Sequence, residues 1–159
     1  MKHRRLARHV ALQALFEVDA VGHDPERALR YRLEESTLAP EHAAFARRLV
    51  WGVLQHRAII DDLIQRHAPL WPINDVAIVD RNILRIGTLE LLWGETPPRV
   101  AINEAVELGK HFGSDSTHRF VNGVLASILE ELEASGRLGE LRDYMAPPPP
   151  APSEESSQA

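Results

Sequence analysis

The chain has no cysteine among its 159 residues, which excludes disulfides and thiolate metal sites. No apolar stretch escapes charge long enough to cross a bilayer, and arginines near the start interrupt the apolar segment that a secretion signal needs. The phosphate-cradling patterns GxGxxG and GxxxxGK[ST] are missing, as is the nucleophile elbow GxSxG. The eight histidines, at 3, 9, 23, 42, 56, 67, 111 and 118, never form an HExxH pair. Carboxylates are plentiful, but Glu104 and Glu107 on one helix, and Glu130, Glu131 and Glu133 on another, read as wet surface. These absences predict a soluble, cytoplasmic protein with no metal, no cofactor and no enzymatic centre.

What is present is an uneven charge. Lys2, Arg4, Arg5 and Arg8 precede the first acidic residue, Glu17, although the whole chain carries a formal −5. Removing those sixteen residues leaves 14 basic against 23 acidic residues, a formal −9. A basic end on an acidic body predicts a nucleic-acid contact at one place and a protein contact at another.

The 44 % of hydrophobic residues recur at helical spacing, with no period-2 strand. Leu6, Val10, Ala14 and Val18, beside Ala7, Ala11 and Leu15, make the inward stripe of a first helix. Asp24-Pro25 and Ala39-Pro40 start the next two, the second running to Pro69 with a break near residues 55–58. Asn74 or Asp75 caps a central helix in which Val76, Val79, Ile83 and Ile86 line one side, and Leu84 and Leu91 another. Thr96-Pro97-Pro98 opens a helix that Gly113 stops, and Ser116 or Thr117 caps a last one ending at Gly136. Gly87, Gly109 and Gly123 inside these helices predict close helix–helix approach. The expectation is an all-α bundle of about seven helices, occupying residues 1–145, then a disordered Pro/Ser/Glu-rich tail over 146–159.

At 100° per residue, Arg5, His9, Gln13 and Phe16 fall on the first helix opposite its apolar stripe. A guanidinium, an imidazole, an amide and an aromatic ring suit single-stranded RNA: cations neutralise phosphate, the amide reaches base edges, and rings stack on bases. The competing reading packs Phe16 under a neighbouring helix.

"RVAINEAVEL" (99–108), "FGSDSTHRFVNGVL" (112–125), "DRNILRIGTLELL" (80–92) and "RRLARHVALQALF" (4–16) together resemble the NusB family of bacterial transcription antitermination factors. The resemblance implies two small helical subdomains, no enzymatic activity, and a role in ribosomal RNA transcription. It implies binding of single-stranded boxA RNA together with the ribosomal protein NusE, within a larger antitermination complex on RNA polymerase. On that pattern Lys2, Arg4, Arg5 and Arg8 form an RNA arm that His9, Gln13 and Phe16 extend. Phe16, Asp80, Arg81, Phe112, Asp115 and Ser116 then belong to the partner-facing side. His118, Asn122 and Gly123 read as structural: capping, buried hydrogen bonding and close packing. The acidic body suits a basic ribosomal protein, and a homodimer that buries the arm is a further expectation. The NusB-like N-terminal domain of RNA cytosine methyltransferases is the alternative within RNA binding. A purely structural helical protein is the alternative outside it.

Overall fold

The computed structural model describes residues 2–144, with side chains from His3 to Asp143. The Lys2 side chain and the tail 146–159 therefore lie outside the described residues. Among those described there are seven α-helices and no strand: α1 (Lys2–Val21), α2 (Pro25–Glu35), α3 (Pro40–Gln55), α4 (Arg57–His67), α5 (Ile78–Trp93), α6 (Pro98–Phe112) and α7 (Thr117–Ser135). Short 3-10 turns cover Ile73–Asp75 and Arg142–Tyr144. None of the helices described is long and apolar enough to cross a membrane.

Helices α1, α2 and α3 pack as one group and α4, α5, α6 and α7 as another. Helix α5 lies against α1 and α3 as well as its own group, so the two share one continuous core. Every residue of α5 from Arg81 to Trp93 is buried, which makes it the central helix. In α1 the buried Ala7, Ala11 and Ala14 let the helix sit close to its neighbours, while Leu6 of the expected stripe is 38 % exposed.

The helix ends follow their local chemistry in part. Asp24 caps α2 by accepting from the Arg27 amide at 3.1 Å, and Pro25 follows it. Gly136 ends α7 at φ +69°, where Arg137 N–H donates to the Leu132 carbonyl. Two expected caps differ. Helix α5 starts after Ala77, and Asn74 and Asp75 sit in the 3-10 turn before it. At α7 the N-cap position falls on Ser116, one of the two expected, but its side chain makes no cap bond, and the Thr117 hydroxyl instead accepts from Ser114 N–H and donates to Asp80. Close approach holds at Gly87, where an added β-carbon would lie 2.6 Å from Leu125. It fails at Gly123, which has nothing within 4 Å of that position. Asn122 and Gly123 are both exposed, so their expected buried roles are corrected.

Candidate nucleic-acid interface

The basic start of α1 is held against the body rather than projecting from it. Arg8 is buried and grips Glu90 with both Nε and Nη2, at 2.9 and 2.7 Å. Thr96 Oγ1 donates to the same carboxylate at 3.0 Å, and Phe45 lies beneath the guanidinium at 5.2 Å. A cation so placed is a strut between α1 and α5. Its expected role as a free phosphate ligand is corrected: with 3 % exposure it has no surface to offer. Arg4 pairs with Glu95 at 3.1 Å and stands 4.6 Å above the Phe45 ring.

Arg5 is different. Its Nε and Nη2 bind Glu104, each at 3.0 Å, yet 48 % of its side chain stays exposed. Glu104 is itself buried, against the wet surface expected for it, and the guanidinium holds its carboxyl below the ordinary range. The fork of Arg5 is thus fixed from below and open from outside.

Further along the same face the rings gather. His9 stacks on His111 at 4.9 Å and meets the edge of Phe112 at 5.0 Å. Burial, aided by His111 and Arg5, pushes the His9 pKa below its ordinary value, so at neutral pH it acts as a flat aromatic rather than a cation. Phe16 is 40 % exposed rather than packed away, and with Gln13, Arg32, Val79 and Phe112 it lines a groove of about 230 Å³. Residues remote in sequence, Phe16 on α1 and Phe112 on α6, meet here. Backbone geometry explains it: α6 ends at Gly113, which leaves its last ring at the surface beside α1.

The expected partner-facing residues divide. Arg81 is only 9 % exposed; it donates to Asp19 at 2.7 and 2.6 Å and to the carbonyls of Asn74 and Val76. It ties the loop before α5 to α1, so its place on a docking surface is corrected. Asp80 is half-buried and accepts from Thr117 at 2.9 Å, with burial raising its pKa. Asp115 and Ser116 are exposed on the α6–α7 loop.

Sequence reasoning missed a second exposed surface. Leu70 and Trp71 are 86 % and 63 % exposed, and with Val76, Phe120, Gly123 and Val124 they border an open depression of about 390 Å³. The signal was the run "PLWP" (69–72): two large apolar residues between prolines, where a helix cannot bury them. Among the described residues no three His, Asp or Glu side chains converge to hold a metal.

Residues 5–130 match the NusB family. The chain belongs to it. The NusB antitermination protein of Roseiflexus sp. (strain RS-1) is 48 % identical over 129 residues, covering 79 % of this chain and 91 % of that protein. Among solved structures, T. maritima NusB superposes with a TM-score of 0.75 at 38 % identity, over 80 % of this chain and 91 % of its own. A complex of antitermination factors NusB and NusE with double-stranded RNA gives a TM-score of 0.75 at 29 % identity, over 82 % and 98 %. The α1 face and the α6–α7 loop described above are thus parts of a NusB-family fold.

Proposed function

We propose that this NusB-family chain is a transcription antitermination factor. It binds single-stranded, boxA-type leader RNA jointly with NusE, within a larger complex on RNA polymerase that supports ribosomal RNA transcription. It works as a binding module and not as an enzyme. The observation that carries the RNA half is the α1 face: the half-exposed Arg5 fork, the His9–His111 stack, Gln13, and the Phe16–Phe112 groove. Exposed rings beside an amide take up unstacked bases, which single strands supply and duplexes do not. The likeness to a complex of NusB and NusE with double-stranded RNA supports the pairing with NusE and with RNA, while the single-strand preference rests on the rings of the α1 face.

The protein partner is assigned to the adjoining face. It runs from Asp115 and Ser116, past Phe120, to Leu70 and Trp71, combining an acidic loop with apolar anchors. NusE is a basic ribosomal protein on the family pattern, so charge complementarity steers it to the acidic body.

Fluorescence titration of a boxA-type RNA, with and without NusE, at two salt concentrations, tests this reading. Weak binding alone, tighter binding with NusE, and a loss of about fivefold or more in Phe16→Ala support it, stacking being worth about 1–3 kcal/mol per base. Equal affinity with and without NusE, or a Phe16→Ala protein that binds as the wild type does, would overturn it.

A further inference from the structure

Ion pairing on α1 raises a question of supply. Arg4, Arg5 and Arg8 are each already bonded to a carboxylate, so a phosphate that engages them must compete for them. Counterion release, which drives phosphate binding, is greatest for cations not already neutralised. Arg27 and Arg30, both exposed on α2, have no carboxylate partner among the described residues.

The groove these two arginines border is linked to the Phe16 groove through adjacent residues, Tyr31 lining one and Arg32 the other. Arg32 lines the Phe16 groove, and its guanidinium carbon lies 5.7 Å over the ring of Tyr31. Its Nε is buried without a hydrogen-bond partner. Tyr31 is 53 % exposed and, with Arg27, Arg30 and His23, borders an open groove of about 500 Å³. The groove also holds three acids, two of them already engaged. Asp24 caps α2, and Glu17 faces Arg32 and His23 at 3.6 and 3.4 Å. Ring and cation therefore alternate from Phe16 through Arg32 and Tyr31 to the two unpaired arginines.

We infer that α2 carries a second RNA-contact surface, with Tyr31 as a stacking platform and Arg27 and Arg30 as phosphate ligands for nucleotides that continue past the α1 face. This rests on the RNA-binding reading above. Nothing in the groove is enclosed or shaped to one base, so the contact adds length-dependent and sequence-tolerant affinity.

The test uses three RNAs: the boxA-type oligonucleotide, and the same sequence extended by about six uridines at its 5′ or at its 3′ end, six being on the order of one single-strand site. One extended RNA is expected to bind wild-type protein about fivefold or more tighter than the short one, from one stacked base. That advantage should vanish in Tyr31→Ala, return in Tyr31→Phe, and leave short-RNA affinity unchanged throughout. In an Arg27→Gln/Arg30→Gln protein the salt slope for the extended RNA should fall by about 1.4, at roughly 0.7 per lost single-strand phosphate contact. If both extended RNAs bind wild type no better than the short one, or if the advantage survives in the α2 variants, the second surface is wrong while the first stands. If no RNA binds at all, both readings fall. Circular dichroism of each variant shows that these exposed substitutions leave the fold intact.

Discussion

Arg5 and Arg8 share a residue type, a helix and a carboxylate partner apiece, yet they perform different work. The difference is burial: 48 % of the Arg5 side chain is exposed against 3 % for Arg8. Removing Arg8 leaves Glu90 charged, buried and without its main partner, which costs about 3–5 kcal/mol. Urea denaturation should therefore show Arg8→Ala strongly destabilised and Arg5→Ala less so, because Glu104 keeps a second cation, Arg8 Nη1, at 4.0 Å and water can reach the site that the half-exposed Arg5 leaves. RNA titration should reverse the order for the folded proteins, with Arg5→Ala the weaker binder. An Arg8→Met/Glu90→Met protein should recover most of the lost stability, because a buried ion pair is often replaceable by apolar groups of similar volume. If Arg8→Ala unfolds at the wild-type urea concentration, the strut assignment is wrong. None of this contrast was legible in the sequence. Both arginines read as members of one basic cluster, because Glu90 and Glu104 lie more than eighty residues away in the chain.

At the scale of elements, the helices themselves were readable and their joins were not. The 3.6-residue apolar period, the Asp24-Pro25 start and the Gly136 stop rest on local chemistry, and they hold. The fates of Thr96, Thr117 and Arg81 depend on partners brought in by tertiary packing. Local rules read Thr96 as part of a helix start and Thr117 as a cap, and the family resemblance places Arg81 on the partner-facing side. Asp19 shows how much such a join carries. On α1, it accepts from Arg81 at 2.7 and 2.6 Å, from Asn82 at 2.9 Å and from Arg85 at 3.0 Å, while Arg85 also reaches Asp61 on α4. The Arg81 bond, ahead of the Asn82 and Arg85 contributions, holds the Asp19 carboxyl well below the ordinary carboxylate range. A depressed folded-state pKa gives stability that is fully present above the unfolded value, about 3.9. That stability is lost as pH falls from there through the lower folded value. Asp19→Asn should thus cost about 3 kcal/mol at neutral pH, and its deficit relative to wild type should shrink steadily below about pH 4. A deficit that stays constant between pH 7 and pH 3 would show that charge is not what joins α1 to α5.

For the molecule as a whole, the acidic surplus and the basic start do not separate as two bare patches. The structure turns Arg8, Arg81 and Arg85 inward, pairs Arg4 and Arg5 with carboxylates at the surface, and presents rings on one face and Leu70, Trp71 and Phe120 on another. On the proposed reading, affinity on the RNA side comes from stacking plus a few cations, and on the protein side from buried apolar area at a few anchors. Two modest contacts on linked partners act together, since the first to bind sets a high effective concentration for the second. That coupling must be reciprocal. Trp71→Ala, an exposed residue whose loss should leave folding intact, is expected to weaken NusE about tenfold or more, the hot-spot penalty of a truncated aromatic anchor. RNA affinity measured without NusE should be unchanged in that variant, while the gain in RNA affinity on adding sub-saturating NusE is reduced. Phe16→Ala should do the converse, lowering RNA affinity alone and sparing NusE binding measured alone. If Trp71→Ala instead weakens RNA without NusE, the two faces are one surface, and the division between them has to be redrawn with RNA crossing both.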